Sequence, residues 1–387
     1  MSDRSPMHQQ IDTLPNLLRE IVPTFDRSAR ETFDFELCTS IKRINLVGCG
    51  DSHHASVGAE LAFNQIAGVP TQAFSSLTYA RYNVGYLPQT GPNTNLTIAV
   101  SVSGVVTRTV EALTLARKAS AVGVALTGNP KARLAANADR VFQTTVPPLP
   151  DEMKGMIVPG VRSYLASQVG LYSAAIRIGE VRGHITTAYA DELRRELLGL
   201  ADILEATIRL CEPLCNQIVN EWSDVREIVF VGAGPLYGAA MFSAAKVLEA
   251  SGDTSYAQET EEWAHLQYFA APPRVPTILL DANGFDVDRM TEVARAAQSI
   301  ERRVIGVLPH DEGRISAWVD TVLPVQGNIR EAFAPIVFSV VGELLAAERA
   351  NALSSEYFQG FGGGRTVDWA QGASRIYDGS MIEEVNR

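Results

Sequence analysis

The chain repeats itself. INLVGCG (44–50) aligns without a gap on IVFVGAG (228–234), and the same offset of 184 residues carries Gly68 onto Gly252, each ending the helix that follows. VSVSG (100–104) corresponds to LDANG (280–284) at an offset of 180. These segments belong to two series of β-branched runs, each run ending in glycine or small residues and leading into a helical stretch. The first is RINLVGCG (43–50), NLTIAVSVSG (95–104), AVGVALTG (121–128) and DRVFQTTV (139–146); the second is EIVFVGAG (227–234), PTILLDANG (276–284), RRVIGVLPH (302–310) and DTVLPVQG (320–327). Continuous apolar strands alternating with helices imply parallel sheets covered on both faces. The expected fold class is therefore α/β, with two tandem doubly wound parallel-sheet domains. The expected organisation is an N-terminal segment over 1–28, a first domain over 29–190, and a second domain with its linking helix over 191–353. A tail rich in glycine and aromatics, 354–387, reads as a lid.

Composition narrows the function classes. With 387 residues and 46% hydrophobic content the chain can bury two cores. Its net charge is −11 and no basic run stands out, which argues against broad nucleic-acid binding. The N-terminal MSDRSPMHQQIDTLP has no apolar core of a signal peptide. The longest apolar run, 332–347, is broken by Pro335 and Glu343 and reads as a buried helix rather than a membrane span. Cys211 and Cys215, four apart on an apolar helix, read as packed thiols. Together with the few cysteines, these features lead to an expected cytoplasmic location, with no metal and no cofactor.

The halves differ where ligands of open α/β sheets bind, at the carboxyl ends of strands. The first half offers Gly48-Cys49-Gly50-Asp51-Ser52 and Ser101-Val102-Ser103-Gly104; the second has Gly232-Ala233-Gly234-Pro235 and Asp281-Ala282-Asn283-Gly284. Hydroxyls and small residues at a helix N-terminus suit a phosphate, although serine and glycine also simply cap helices and turn loops. Neither half completes the GxGxxG of a dinucleotide site. His53 and His54 follow the first loop and read either as ligand-facing or as exposed capping residues. In the second half, Lys246 and Glu249 share a helix face, with Glu249 opposite Gln65 of the first half. Spacing alone leaves both a solvated ion pair and an acid/base group open.

Three motifs resemble the sugar isomerase (SIS) domain family in its tandem arrangement, over roughly residues 30–350. The patterns are nearest to the isomerase part of glucosamine-6-phosphate synthase and to fructosamine-6-phosphate deglycases. The motifs are Cys49-Gly50-Asp51-Ser52, Ser101-Val102-Ser103-Gly104-Val105-Val106, and Lys246-x-x-Glu249 with His265 sixteen residues on. The resemblance implies flavodoxin-like SIS domains and an enzyme acting on a phosphorylated amino or amine-linked sugar through a C1–C2 proton transfer. It implies Glu249 as the acid/base with Lys246 beside it, and His265 as a ring-opening group delivered from the neighbouring subunit of a homodimer. Gly50, Ser52, Ser101, Ser103, Gly104, Thr107 and Arg162 would hold the sugar phosphate. The alternative is a non-catalytic sugar-phosphate sensor on the same scaffold.

The motifs also depart from the family. Val105-Val106 replace Glu-Thr of the phosphate loop, leaving Thr107 or Arg108 to substitute, and Leu266-Gln267 follow His265 in place of Gly-Pro. No glutaminase segment precedes the repeat, position 2 is serine, and no lysine follows Lys246. Tail arginines Arg365 and Arg375 are cations but form no Schiff base. These departures favour deglycation, deamination or isomerisation over synthesis.

Overall fold

In the computed structural model, which describes residues 4–153, 155–270 and 273–360, each half of the repeat builds one five-stranded sheet. The first comprises β1 (Arg43–Gly48), β2 (Thr71–Ser75), β3 (Asn95–Val100), β4 (Val122–Thr127) and β5 (Arg140–Gln143). Its order is β2-β1-β3-β4-β5, all parallel. The second comprises β6 (Glu227–Gly232), β7 (Thr254–Glu259), β8 (Pro276–Leu280), β9 (Arg303–Pro309) and β10 (Thr321–Val325), in the equivalent order and again all parallel. In both sheets the chain reverses its direction of travel at the first strand, so a crevice opens between β1 and β3 and another between β6 and β8.

The two α/β halves agree with the expected fold, with one addition. β2 (TQAFS) and β7 (TSYAQE) are edge strands with mostly half-exposed residues, and neither makes an apolar run. Their register extends the repeat: Gly48 pairs with Ser75 and Gly232 with Glu259, each partner 184 residues from its counterpart. Both terminal residues then cap the next short helix, Ser75 accepting from Thr78 N–H and Glu259 from Glu261 and Glu262 N–H.

The described chain divides into two units. One contains Asn16–Pro148 and Arg162–Leu198; the other contains residues 4–15, Leu149–Val161 and residues from Gly199 onward. In the first unit, Val47, Tyr79, Ala99, Leu113 and Ala125 lie in one core cluster. The amphipathic helix Leu14–Thr32 blunts the β5 edge, where Ser28 and Thr32 hydroxyls donate to the Gln143 and Val141 carbonyls. In the second unit, Val231, Trp263, Leu279, Met290 and Val304 form the corresponding cluster. The helix Pro335–Leu353 is buried along most of its length, as its apolar run requires. It approaches the helix Gly234–Ser251 so closely that a Cβ on Gly342 would lie 2.1 Å from Ser243 Oγ. Cys211 and Cys215 are buried free thiols, and burial pushes the Cys211 thiol up to about 12. Among the described residues no helix is long and apolar enough to cross a membrane.

Candidate functional site

At the carboxyl end of the first sheet, strand β1 turns directly into the helix Asp51–Ala62. Gly48 permits this because a Cβ there would lie 2.6 Å from the Ser52 carbonyl carbon. Gly50 caps the helix at φ +53 and faces open space. After β3, Ser101 is buried and its Oγ accepts from Gly104 N–H at 3.2 Å. Gly104 sits at φ +67 with Ala132 against it, a Cβ there meeting Ala132 Cβ at 2.6 Å. Ser103 is exposed, and its Oγ accepts from Val105 N–H at 3.5 Å. The helix Thr107–Lys118 then begins with no side-chain cap at Val106. Its first N–H groups lack intrahelical acceptors, which leaves donors at a positive dipole end.

Hydroxyls stitch these loops together. Thr109 Oγ1 lies 3.1 Å from Ser76 Oγ and donates to Cys49 Sγ at 3.6 Å, so the segments after β1, β2 and β3 meet at one buried point. The structure thus gathers Gly50 and Ser52 with Ser101, Ser103, Gly104 and Thr107 around the β1/β3 crevice. His53 stands in the first turn of its helix, where burial lowers its pKa and favours the neutral imidazole. His54 Nδ1 is 3.8 Å from Asp51 Oδ1. Arg162 opens the helix Arg162–Arg182, is 9% exposed, and donates from Nη2 to the Pro147 carbonyl at 2.8 Å.

Two residues of this region escape sequence reading. Glu111, fully buried, accepts from Arg108 Nη1 and lies 3.5 Å from Arg81 Nε. Arg81 belongs to the segment after β2, so without that edge strand its position is invisible. The i,i+3 spacing of Arg108 and Glu111 is the one signal that could have found them.

In the second unit, Lys246 and Glu249 come together at the end of the helix Gly234–Ser251. Lys246 Nζ donates to Glu249 Oε2 and lies 5.0 Å from the centre of the Phe242 ring. Lys246 is fully buried and Glu249 is 30% exposed. The pair is therefore not a solvated surface bridge: a buried ammonium needs its counter-charge. The helix stops at Gly252, φ +77, whose N–H donates to the Leu248 carbonyl. Asp253 follows, held by Arg349 Nε at 2.6 Å, while the same guanidinium donates to the Trp222 and Val225 carbonyls. The described part of the expected lid reaches this end: Gln359 packs where a Gly252 Cβ would stand. Arg365 and Arg375 lie outside the described residues. His265 ends the helix Thr260–His265, is 66% exposed, and shares a 3.0 Å hydrogen bond with Glu261 rather than with Glu249.

The second crevice is acidic. Asp281, the counterpart of Ser101, is fully buried, with Oδ1 accepting from Asn283 N–H and, among the described residues, no hydrogen-bond partner for Oδ2. Burial, followed by the nearby Asp286 charge, pushes its carboxyl up to about 7. Asp286 and Glu331 are raised as well, chiefly by burial. A cavity of 560 Å³ opens beside them, lined by Asn283, His310, Asp311 and Glu331 among others. This crevice does not suit a phosphate. Elsewhere in the second unit, His8, Glu212 and Glu348 bring ligand-type atoms within 4.8 Å of one another. Arg4 binds both Glu212 oxygens and Asn216 donates to Glu348, so this cluster is already satisfied as an ion-pair network.

Residues 38–176 match the model of the SIS domain family. Over 345 residues it is 26% identical to glutamine–fructose-6-phosphate aminotransferase (isomerizing) of Gloeobacter violaceus, covering 88% of this chain and 54% of that protein. The chain thus spans about half the length of that curated relative. The C-terminal domain of glucosamine-fructose-6-phosphate aminotransferase from Francisella tularensis superposes with a TM-score of 0.77 at 19% identity, covering 92% of this chain and 99% of that one. Glucosamine-6-phosphate deaminase from Thermotoga maritima gives 0.69 at 18% identity, covering 90% and 94%. At these identities the structural likenesses establish the fold.

Proposed function

We propose that this protein is an enzyme acting on a phosphorylated amino or amine-linked sugar, with Glu249 carrying a proton between C1 and C2. The observation that carries this reading is the charged helix end of the second unit. There Lys246, Glu249 and Asp253 stand where the first copy has Ala62, Gln65 and Val69. Charges at buried positions cost stability unless paired, and each of these has a partner. An ionic set at a position where the first copy is uncharged supports a chemical use for that set.

The roles follow from the groups. Lys246, fixed over Phe242, orients the Glu249 carboxylate. With an amine-linked ketose phosphate, Glu249 removes the C1 proton, returns it to C2, and leaves C1 as an imine that water hydrolyses to the aldose phosphate and the free amine. His265, exposed and hydrogen-bonded to an exposed glutamate, serves ring opening in a neighbouring copy of the chain within a homodimer. The first unit's crevice, with Gly50, Ser52, Ser101, Ser103, Gly104 and Thr107, suits the substrate's phosphate. Arg162 contributes to that unit's positive potential.

The test is turnover of fructosamine 6-phosphates, glucosamine 6-phosphate and ketose 6-phosphates by wild type and Glu249→Gln. Release of amine or isomerised sugar by wild type, abolished in the variant, supports the enzyme. Thermal stabilisation by these sugars without any product would instead support the sensor.

A further inference from the structure

With Val105-Val106 in the phosphate loop, the first crevice has no hydroxyl at position 106, and the structure shows cations gathered beside that gap. Glu111 has no exposed surface, and two guanidiniums converge on it: Arg108 Nη1 on Oε2, and Arg81 Nε at 3.5 Å from Oε1. One buried carboxylate thus orients two permanent cations, leaving one positive charge in excess. Among the described residues Arg108 makes no side-chain hydrogen bond other than the one to Glu111, and Arg81 makes none, so their remaining N–H groups are open. The side chains are 19% and 32% exposed, sheltered enough to strengthen electrostatics yet open to a ligand.

The surroundings reinforce this charge. Arg108 lies in the first turn of the helix Thr107–Lys118, where the dipole is positive. Lys131 and Arg133 flank Ala132, the residue packed on Gly104. Against them stand Glu111, already engaged, and Asp51 with its His54 neighbour. In a chain of net charge −11 this is a local reversal of sign.

We infer that Arg108 and Arg81, oriented by Glu111, form the phosphate-holding cation pair of this crevice, in the role that a hydroxyl at position 106 would otherwise fill. The inference rests on the phosphorylated-sugar reading and makes it specific. The substrate's phosphoryl dianion sits where the segment after β2 meets the first turn of the helix Thr107–Lys118, bound by charge-assisted guanidinium hydrogen bonds. Glu111 is a positioning residue that acts through the two arginines.

The experiment is binding of inorganic phosphate, and of fructose 6-phosphate, to the full chain by calorimetry at two salt concentrations, which needs no turnover. Wild type binds both, more weakly at high salt. Arg108→Gln and Arg81→Gln each weaken both ligands by about tenfold or more, and Arg108→Lys recovers only part of the affinity because it cannot bind bidentately. Since Arg108→Gln strips a partner from a buried carboxylate, the double variant Arg108→Gln/Glu111→Gln is measured beside it; it keeps the shape without the charges and has the same binding defect in a stably folded protein. Unchanged affinity in the folded double variant, or no phosphate binding by wild type, overturns the inference. A chain that binds phosphate through Arg108 yet converts no sugar phosphate would refute the enzymatic reading and leave this inference standing.

Discussion

The two halves of this molecule share strand order, register and even the glycines that end their first helices, yet their charged residues are arranged oppositely. In the first half the crevice is cationic, with Arg81 and Arg108 about Glu111, and the helix end is neutral, with Ala62, Gln65 and Val69. In the second half the crevice is acidic, with Asp281, Asp286 and Glu331, and the helix end carries Lys246, Glu249 and Asp253. The first helix also finishes in a π-turn, Phe63–Ala67, leaving Gln65 exposed, whereas the second stays α-helical to Ser251. Under the proposed function, anion holding and proton handling are divided between the copies.

The largest expected effect falls on the charged helix end. Glu249→Gln should cut turnover by about 10²–10⁴-fold, the usual worth of a general acid/base. It also removes the carboxylate that the buried Lys246 ammonium binds at that helix end. The double variant Lys246→Met/Glu249→Gln should therefore regain thermal stability without regaining activity; regained activity would reduce the pair to a structural bridge. Next in size is Arg349→Met, which strands Asp253 and two carbonyls and should cost about 3–5 kcal/mol in urea denaturation. Val69→Ala, at the corresponding uncharged position of the first half, should cost clearly less.

The acidic crevice gives a pH signature. Asp281 is harder to ionise folded than unfolded, so its contribution to stability is full below the ordinary carboxyl range and drains away as pH rises from about 4 through about 7. Asp281→Asn should therefore leave the melting temperature nearly unchanged at pH 4 and raise it at pH 8, with the difference growing between. A constant difference across that range would break the contrast between the crevices. The smallest effect is expected from Ser101→Ala, which removes the acceptor for Gly104 N–H and should cost about 1 kcal/mol while weakening phosphate binding.

Most of the fold is legible in the sequence because β1, β3, β6 and β8 are buried on both faces and read as mainly apolar runs. β2 and β7 are not, because an edge strand half open to solvent needs no such run. That gap hides Arg81, whose place depends on β2. Helix Leu14–Thr32 does carry a legible period, Leu14, Leu17, Leu18, Ile21, Phe25, which an undivided N-terminal segment obscures. At the site, spacing brings Lys246 and Glu249 to one helix face, and the structure adds that the lysine is buried. What His265 faces cannot be read from spacing, and within the chain its partner is Glu261.

The central claim is that Glu249 moves a proton between adjacent sugar carbons. The most direct measurement is deuterium incorporation from D₂O at C1 of fructose 6-phosphate and of a fructosamine 6-phosphate, and at C2 of any aldose phosphate formed, followed by NMR with wild type and Glu249→Gln. Wild type should incorporate deuterium whether or not net product accumulates, and the variant should incorporate none above background. Equal incorporation by the two proteins would contradict the claim.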